Sequence, residues 1–155
     1  MTKLSKLVLA GGFALTMACG VAGLSVVQAA TSAPAASDAQ QVKIIYHIND
    51  SESQALGGLR SMRNHLDVAP ETKIVVVAHS DGIDFLSNDY KDAQIVAPLV
   101  AGLAARGVTF EVCEITLGRK GMTKDDFMLE ANFTPSGVAR IGQLQALEGY
   151  AYLKP

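Results

Sequence analysis

Cysteine is scarce in this sequence: there are two in 155 residues, and tryptophan is absent. No Cys-x-x-Cys pair occurs, which excludes a thioredoxin-type dithiol. No GxGxxG follows a strand-like run and no GK[ST] is present, so nothing provides a phosphate-cradling loop. Gly-x-Ser-x-Gly is missing as well, which leaves a hydrolase nucleophile elbow without support. Nor is there any basic surplus. The formal net charge is −2, which argues against nucleic acid or an anionic membrane surface as a partner.

The apolar content is high, at 49%, and part of it is concentrated at the N-terminus. Lys3 and Lys6 precede an uncharged apolar stretch from Leu7 to Val27, and Val27-Gln28-Ala29 places small residues where a signal peptidase cuts. Residues 1–29 therefore read as a cleavable secretory signal. Two rival readings are an uncleaved anchor helix and lipidation at Cys19; all three export the domain, and the periplasm is the expected location. Cleavage after Ala29 removes Lys3 and Lys6, taking 13 basic side chains to 11 against 15 acidic ones, a formal charge of −4 with no membrane span remaining. Residues 30–41, rich in Ala, Ser and Pro, read as a flexible linker, and one domain is expected over 42–155.

Within that domain strand-like and helix-like patterns alternate. Val42 to Ile48 is rich in β-branched residues, and Ser51-x-x-Gln54 resembles a capping box before Leu56, Leu59, Met62 and Leu66 at helical spacing. Lys73 to Ala78 is almost wholly apolar, as suits a strand covered on both faces, and residues 79–82 then turn the chain. Asp92 to Arg106 carries a helical apolar stripe ending at Gly107, with Pro98 awkward inside it. A third strand runs from Val108 to Cys113, a helical turn from Leu117 to Gly121, and Thr123 starts another helix to Leu129. Thr134-Pro135 opens a final helix with Val138, Ile141, Leu144 and Leu147 facing inward, before a last strand from Tyr150 to Leu153. Strands separated by helices imply right-handed crossovers, hence a three-layer α/β/α sandwich on a mainly parallel sheet. Chemistry in such folds sits at the carboxyl ends of the strands.

Cys113 lies at one of those ends. With Cys19 removed it has no disulfide partner, and it shares a strand face with Thr109 and Glu111, opposite the apolar Phe110 and Val112. The amides of a following helix, with Arg119 and Lys120, would favour a thiolate there, whereas Glu111 and Glu114 oppose it. The plainer reading is a small buried hydrophobe. His47 and His79 sit near the ends of the first two strands and, with Cys113, would form a zinc or copper set, although the spacing is not a metal motif. Both histidines also suit a purely structural role, and His65 reads as a surface residue. Asp125-Asp126 suits a helix start.

Three stretches resemble one family. Residues 106–117, with Gly107-Val108 and Val112-Cys113 before Thr116-Leu117, are similar to the signature strand of the DsrE/DsrF-like sulfur-relay family. Thr134 to Ile141, followed by Leu144-Gln145 and Gly149-Tyr150-Ala151-Tyr152, resembles that family's C-terminal ending. Val75 to His79 with Gly82 to Leu86 resembles its second-strand motif, departing from it at Ser80-Asp81. The resemblance spans Val42 to Pro155 and, with the leader, points to an exported subgroup. It implies a parallel five-stranded sheet, homo-oligomers such as trimers or hexamers, and no cofactor. It also implies Cys113 as a persulfide-bearing nucleophile, assisted by His79 or Arg119, that receives sulfane sulfur from a donor and passes it to an acceptor thiol in the manner of a sulfurtransferase or persulfide carrier. The alternatives on the same fold are a non-enzymatic metal- or small-anion-binding module, with His47, His79 and Cys113 as ligands in the metal case, and a structural homo-oligomer.

Overall fold

The computed structural model describes residues 41–155, so the expected signal, Cys19 and the expected linker before Gln41 lie outside the described residues. The described chain runs β1 (Lys43–Asp50), α1 (Ser51–Val68), β2 (Lys73–Asp81), α2 (Ala93–Ala104), β3 (Thr109–Cys113), α3 (Glu114–Lys120), β4 (Ala131–Thr134), α4 (Gly137–Ala146) and β5 (Ala151–Leu153). All five strands are parallel, in the order β4-β3-β2-β1-β5. The chain steps outward from β1 to β4 and then returns across the sheet through α4 to place β5 on the other side of β1. None of the described helices is long and apolar enough to cross a membrane.

The two faces of the sheet are covered unequally. On one face Tyr46, Ile48, Ile74, Val76, Phe110 and Val112 pack with Leu59, Met62 and Leu66 of α1 and Val96, Val100 and Leu103 of α2. On the other, Ile45, Val75 and Val77 meet a single fully buried helix residue, Leu144 of α4. The unbroken apolar run of β2 follows from this arrangement, since Ile74 to Ala78 are buried from both sides.

Several local expectations are corrected. The α1 cap is Asp50, whose carboxylate accepts the Glu52 and Ser53 amides. Ser51 is instead buried, its hydroxyl donating to the Asp81 carbonyl and accepting the Phe85 amide. β2 extends through His79, Ser80 and Asp81, and the turn starts only at Gly82. α2 continues through Pro98, which lacks only one amide that the helix would have used. Residues 124–126 form a 3-10 turn closed by a Thr123/Asp126 capping box, in place of a helix to Leu129. The edge strand β4 was not legible, and because Thr134 ends it in register with Cys113, the cap of α4 is Ser136. Val138 and Leu147 are 68% and 82% exposed. Val138 lies roughly 120° around the helix from Leu144, and Leu147 falls past the last helical residue.

Candidate functional site

Parallel topology brings the carboxyl ends of β1, β2 and β3 to one edge, and the period of two puts His47, His79 and Cys113 on the α4 face of the sheet. The first turn of α4 lies against this edge. A Cβ built on Gly137 would sit 3.2 Å from the His79 Cβ, 3.3 Å from the Cys113 Cβ and 3.5 Å from Val77. Glycine at this position therefore eases the close approach of the helix to the thiol, since an added Cβ would have to be accommodated by shifts of a few tenths of an ångström.

Cys113 ends β3 and is the residue from which α3 starts. It is 5% exposed and has no disulfide partner among the described residues. Burial pushes its pKa up. That push is outweighed by the nearby Gly137, Thr116 and Ile115 amides and the Thr116 hydroxyl, which turn donors toward the sulfur, so the thiol lies below its ordinary value. All of these donors are neutral. Arg119 sits exposed at the far end of α3, and Lys120 is drawn away to Asp81 at 3.0 Å and Asp84 at 2.8 Å. The two carboxylates expected to oppose a thiolate are both engaged, Glu114 with Lys124 at 2.5 Å and Glu111 with Arg140 at 2.9 Å.

The histidines bond to each other. His47 Nε2 lies 2.7 Å from His79 Nε2, His47 Nδ1 lies 2.6 Å from the Tyr152 hydroxyl, and His79 Nδ1 lies 3.0 Å from Ser80 Oγ. One imidazole donates and the other accepts, so a proton sits between them. Burial, then the neighbouring His79 and Lys154, lower His47 to about 4, and burial with Lys154 lowers His79. The pair is thus neutral at pH 7. Ser80 links the histidines to the thiol, since it holds a left-handed φ of 53° and donates its amide to Thr116 Oγ1 at 3.1 Å. A metal set of His47, His79 and Cys113 is not assembled: the two Nε2 atoms face each other, and no group of three ligating side chains is arranged to hold an ion among the described residues. His65 is half-buried, with Nδ1 3.4 Å from the Tyr46 hydroxyl.

A lowered His47 pKa has a stability consequence. Below about 6.5 the unfolded chain takes up a proton that the folded site refuses until about 4, so the contribution is complete above 6.5 and is lost as pH falls through that window. The melting temperature of the wild type should therefore fall more steeply between pH 6.5 and 4.5 than that of His47→Gln. Parallel curves from a pH series of thermal melts would refute this.

Thr116, Gly137, Tyr152, Ser80 and Lys154 were missed from sequence. Thr116, three residues after Cys113 at a helix start, carried a faint signal in its spacing; the others join the site through contacts distant in sequence.

Comparison with known proteins agrees with this architecture. The DsrE/DsrF-like family profile matches residues 22–155. A solved protein of unknown function, MTH1491 from Methanobacterium thermoautotrophicum, is 32% identical, covering 74% of this chain and 100% of its own, with a TM-score of 0.67. The ychN protein from E. coli shares the fold at 13% identity and a TM-score of 0.56, over 75% of this chain and 99% of that one. No curated protein matches. With a parallel five-stranded sheet and a profile match over most of its length, this chain belongs to the DsrE/DsrF-like family.

Proposed function

We propose that the protein carries sulfane sulfur as a persulfide on Cys113 and passes it to an acceptor thiol in the periplasm. The observation that carries this reading is the placement of Cys113 where α3 starts and the first turn of α4 closes in at Gly137, so that a cradle of neutral donors from Gly137, Thr116 and Ile115 surrounds the sulfur and lowers its pKa despite burial. In the loading step the Cys113 thiolate attacks the outer sulfur of thiosulfate or a polysulfide. A new S–S bond forms at Cys113, the donor's S–S bond breaks, and sulfite or the shortened polysulfide leaves with the electron pair. In the transfer step an acceptor thiolate attacks the outer sulfur and Cys113 departs as thiolate. The cradle suits both steps, because the same donors stabilise negative charge on the attacking sulfur and on the leaving one. The nearness of His79 to Gly137 supports a part for it in orienting the outer sulfur; Arg119 has the weaker claim, being exposed at the other end of α3. The leader supports export, and the family resemblance supports a trimer or hexamer. A small anion held by the same amides is the second reading, favoured by the same cradle.

Intact mass measurement tests the carrier reading. Native protein treated with polysulfide should gain about 32 Da, the mass of one sulfur, lose it on reduction, and gain nothing if first blocked with iodoacetamide. Absence of the adduct, together with a thiol that resists alkylation until the protein unfolds, would overturn the reading.

A further inference from the structure

α4 is attached to its face of the sheet by little. Its one fully buried side chain is Leu144, with Ile141 partly buried beside it. Apart from the close approach at Gly137, its remaining tie to the sheet is ionic: Arg140 Nε donates to both oxygens of Glu111, at 3.2 and 2.9 Å, and Arg140 Nη1 also reaches Glu148, just past the helix, at 2.6 Å. Glu111 is 8% exposed and lies two residues before Cys113 on the same strand face, while Arg140 lies one helical turn after Gly137. One pair of side chains thus ties the strand that ends in the thiol to the helix that begins with the thiol's amide donor. We propose that Arg140 is a positioning residue for Cys113: by gripping Glu111 it holds the first turn of α4 against β3 and keeps the Gly137 amide on the sulfur.

The physical argument is one of geometry. An N–H···S contact weakens steeply as it lengthens or bends, and Gly137, at the N-terminus of its helix, has no helical partner for that amide. Its direction is set by where α4 sits. The one Nε–H of Arg140 is shared between the two Glu111 oxygens while Nη1 holds Glu148, and these two points of attachment restrain the rotation of the helix as well as its distance, which a single apolar contact at Leu144 does not. The charged and titratable groups nearest Cys113 are Glu111 on β3, His79 on β2, Glu114 on α3 and Arg140 on α4; Arg119 is exposed at the far end of α3, and Lys120 is drawn to Asp81 at the end of β2 and to Asp84. His47 and Lys154 lie beyond His79. Glu114 is held by Lys124 and His79 by His47, which leaves the Glu111–Arg140 pair as the one bridging strand and helix.

This inference rests on the persulfide reading only for its consequence, slower loading at neutral pH. The test measures the thiol itself. Iodoacetamide alkylation rates of the full chain are followed from pH 5 to 10 for wild type, Arg140→Gln, Glu111→Gln and the double variant, with mass mapping to Cys113. Both single variants should move the inflection up by half to one pH unit, slowing alkylation at pH 7 by about threefold to tenfold, with the high-pH plateau unchanged. The double variant should match the singles. If Arg140→Gln does not fold, Arg140→Lys, which keeps the charge but cannot hold Glu111 and Glu148 through two separate nitrogens, should give a smaller shift in the same direction. An unmoved inflection in either Arg140 variant overturns the proposal. So does a lowered inflection in Glu111→Gln, which would mean that Arg140 only masks a carboxylate charge. Failure of polysulfide to load a wild-type thiol that titrates low would sink the carrier reading and leave this one standing.

Discussion

Cys113→Ser is expected to take up no sulfur at residue 113 under polysulfide while unfolding within about 1 kcal/mol of the wild type. The two outcomes have separate causes. Serine at the start of a helix is a strong acceptor for the amides of the following turn, so the donors around the sulfur keep a partner. Its hydroxyl is smaller than the thiol and leaves only a small void in a site that is already 5% exposed. Chemically the replacement is complete: a serine hydroxyl stays protonated at neutral pH and offers no soft nucleophile to a sulfane sulfur. Peptide mapping after polysulfide treatment reads the result, and it separates position 113 from Cys19 in any uncleaved chain. Persistent sulfur on the peptide containing residue 113 would end the assignment of Cys113. Loss of loading accompanied by collapse of the fold would show instead that the thiol is a packing residue.

Much of the architecture was legible because it depends on neighbours in sequence. The apolar run of β2 announced a strand buried on both faces, and Gly107, with φ 88°, marked the end of the α2 segment. Cys113 stood out for a reason of the same kind, since a lone cysteine off the apolar face of a short strand is visible from the alternation alone. β4 was not legible: Ala131-Asn132-Phe133-Thr134 is short and carries an exposed Asn, and its strand state comes from pairing with β3. The apolar spacing of α4 suggests one inward stripe that includes Val138 and Leu147, yet both are exposed. The helix meets the sheet along Gly137, Arg140, Ile141 and Leu144, and two of those are a glycine and an arginine. The thiol's environment was equally hidden. Ser80 meets Thr116 across 36 positions and Arg140 meets Glu111 across 29, and no local period reports such pairs.

Gly82→Ala is expected to destabilise the protein by about 3 kcal/mol or more and to take the histidine pair apart with it. A Cβ at this position would lie 2.2 Å from the Ile48 carbonyl oxygen, 2.5 Å from its carbon and 2.6 Å from the Asn49 Cα. All three are backbone atoms of β1, so no side-chain rotation relieves the overlap; the strand itself must move. The β1–β2 register is already irregular between Ile48 and Asp50, with Asp50 paired to Asp81 just before Gly82. Pushing β1 outward there spreads the two strands at the edge that carries His47 and His79, whose 2.7 Å contact tolerates little separation. Gly57→Ala is the matched control. Gly57 lies in α1 with nothing within 4 Å of its built Cβ, so the same added methyl should stabilise by about 0.5–1 kcal/mol through helix propensity. Urea unfolding of the two variants, with imidazole NMR shifts of His47 and His79 recorded on each, separates backbone contact from any general intolerance of alanine. If Gly82→Ala unfolds with the midpoint of Gly57→Ala and keeps its imidazole shifts, the close approach of β1 to the turn after β2 is refuted, and with it the account of what holds the histidine pair together.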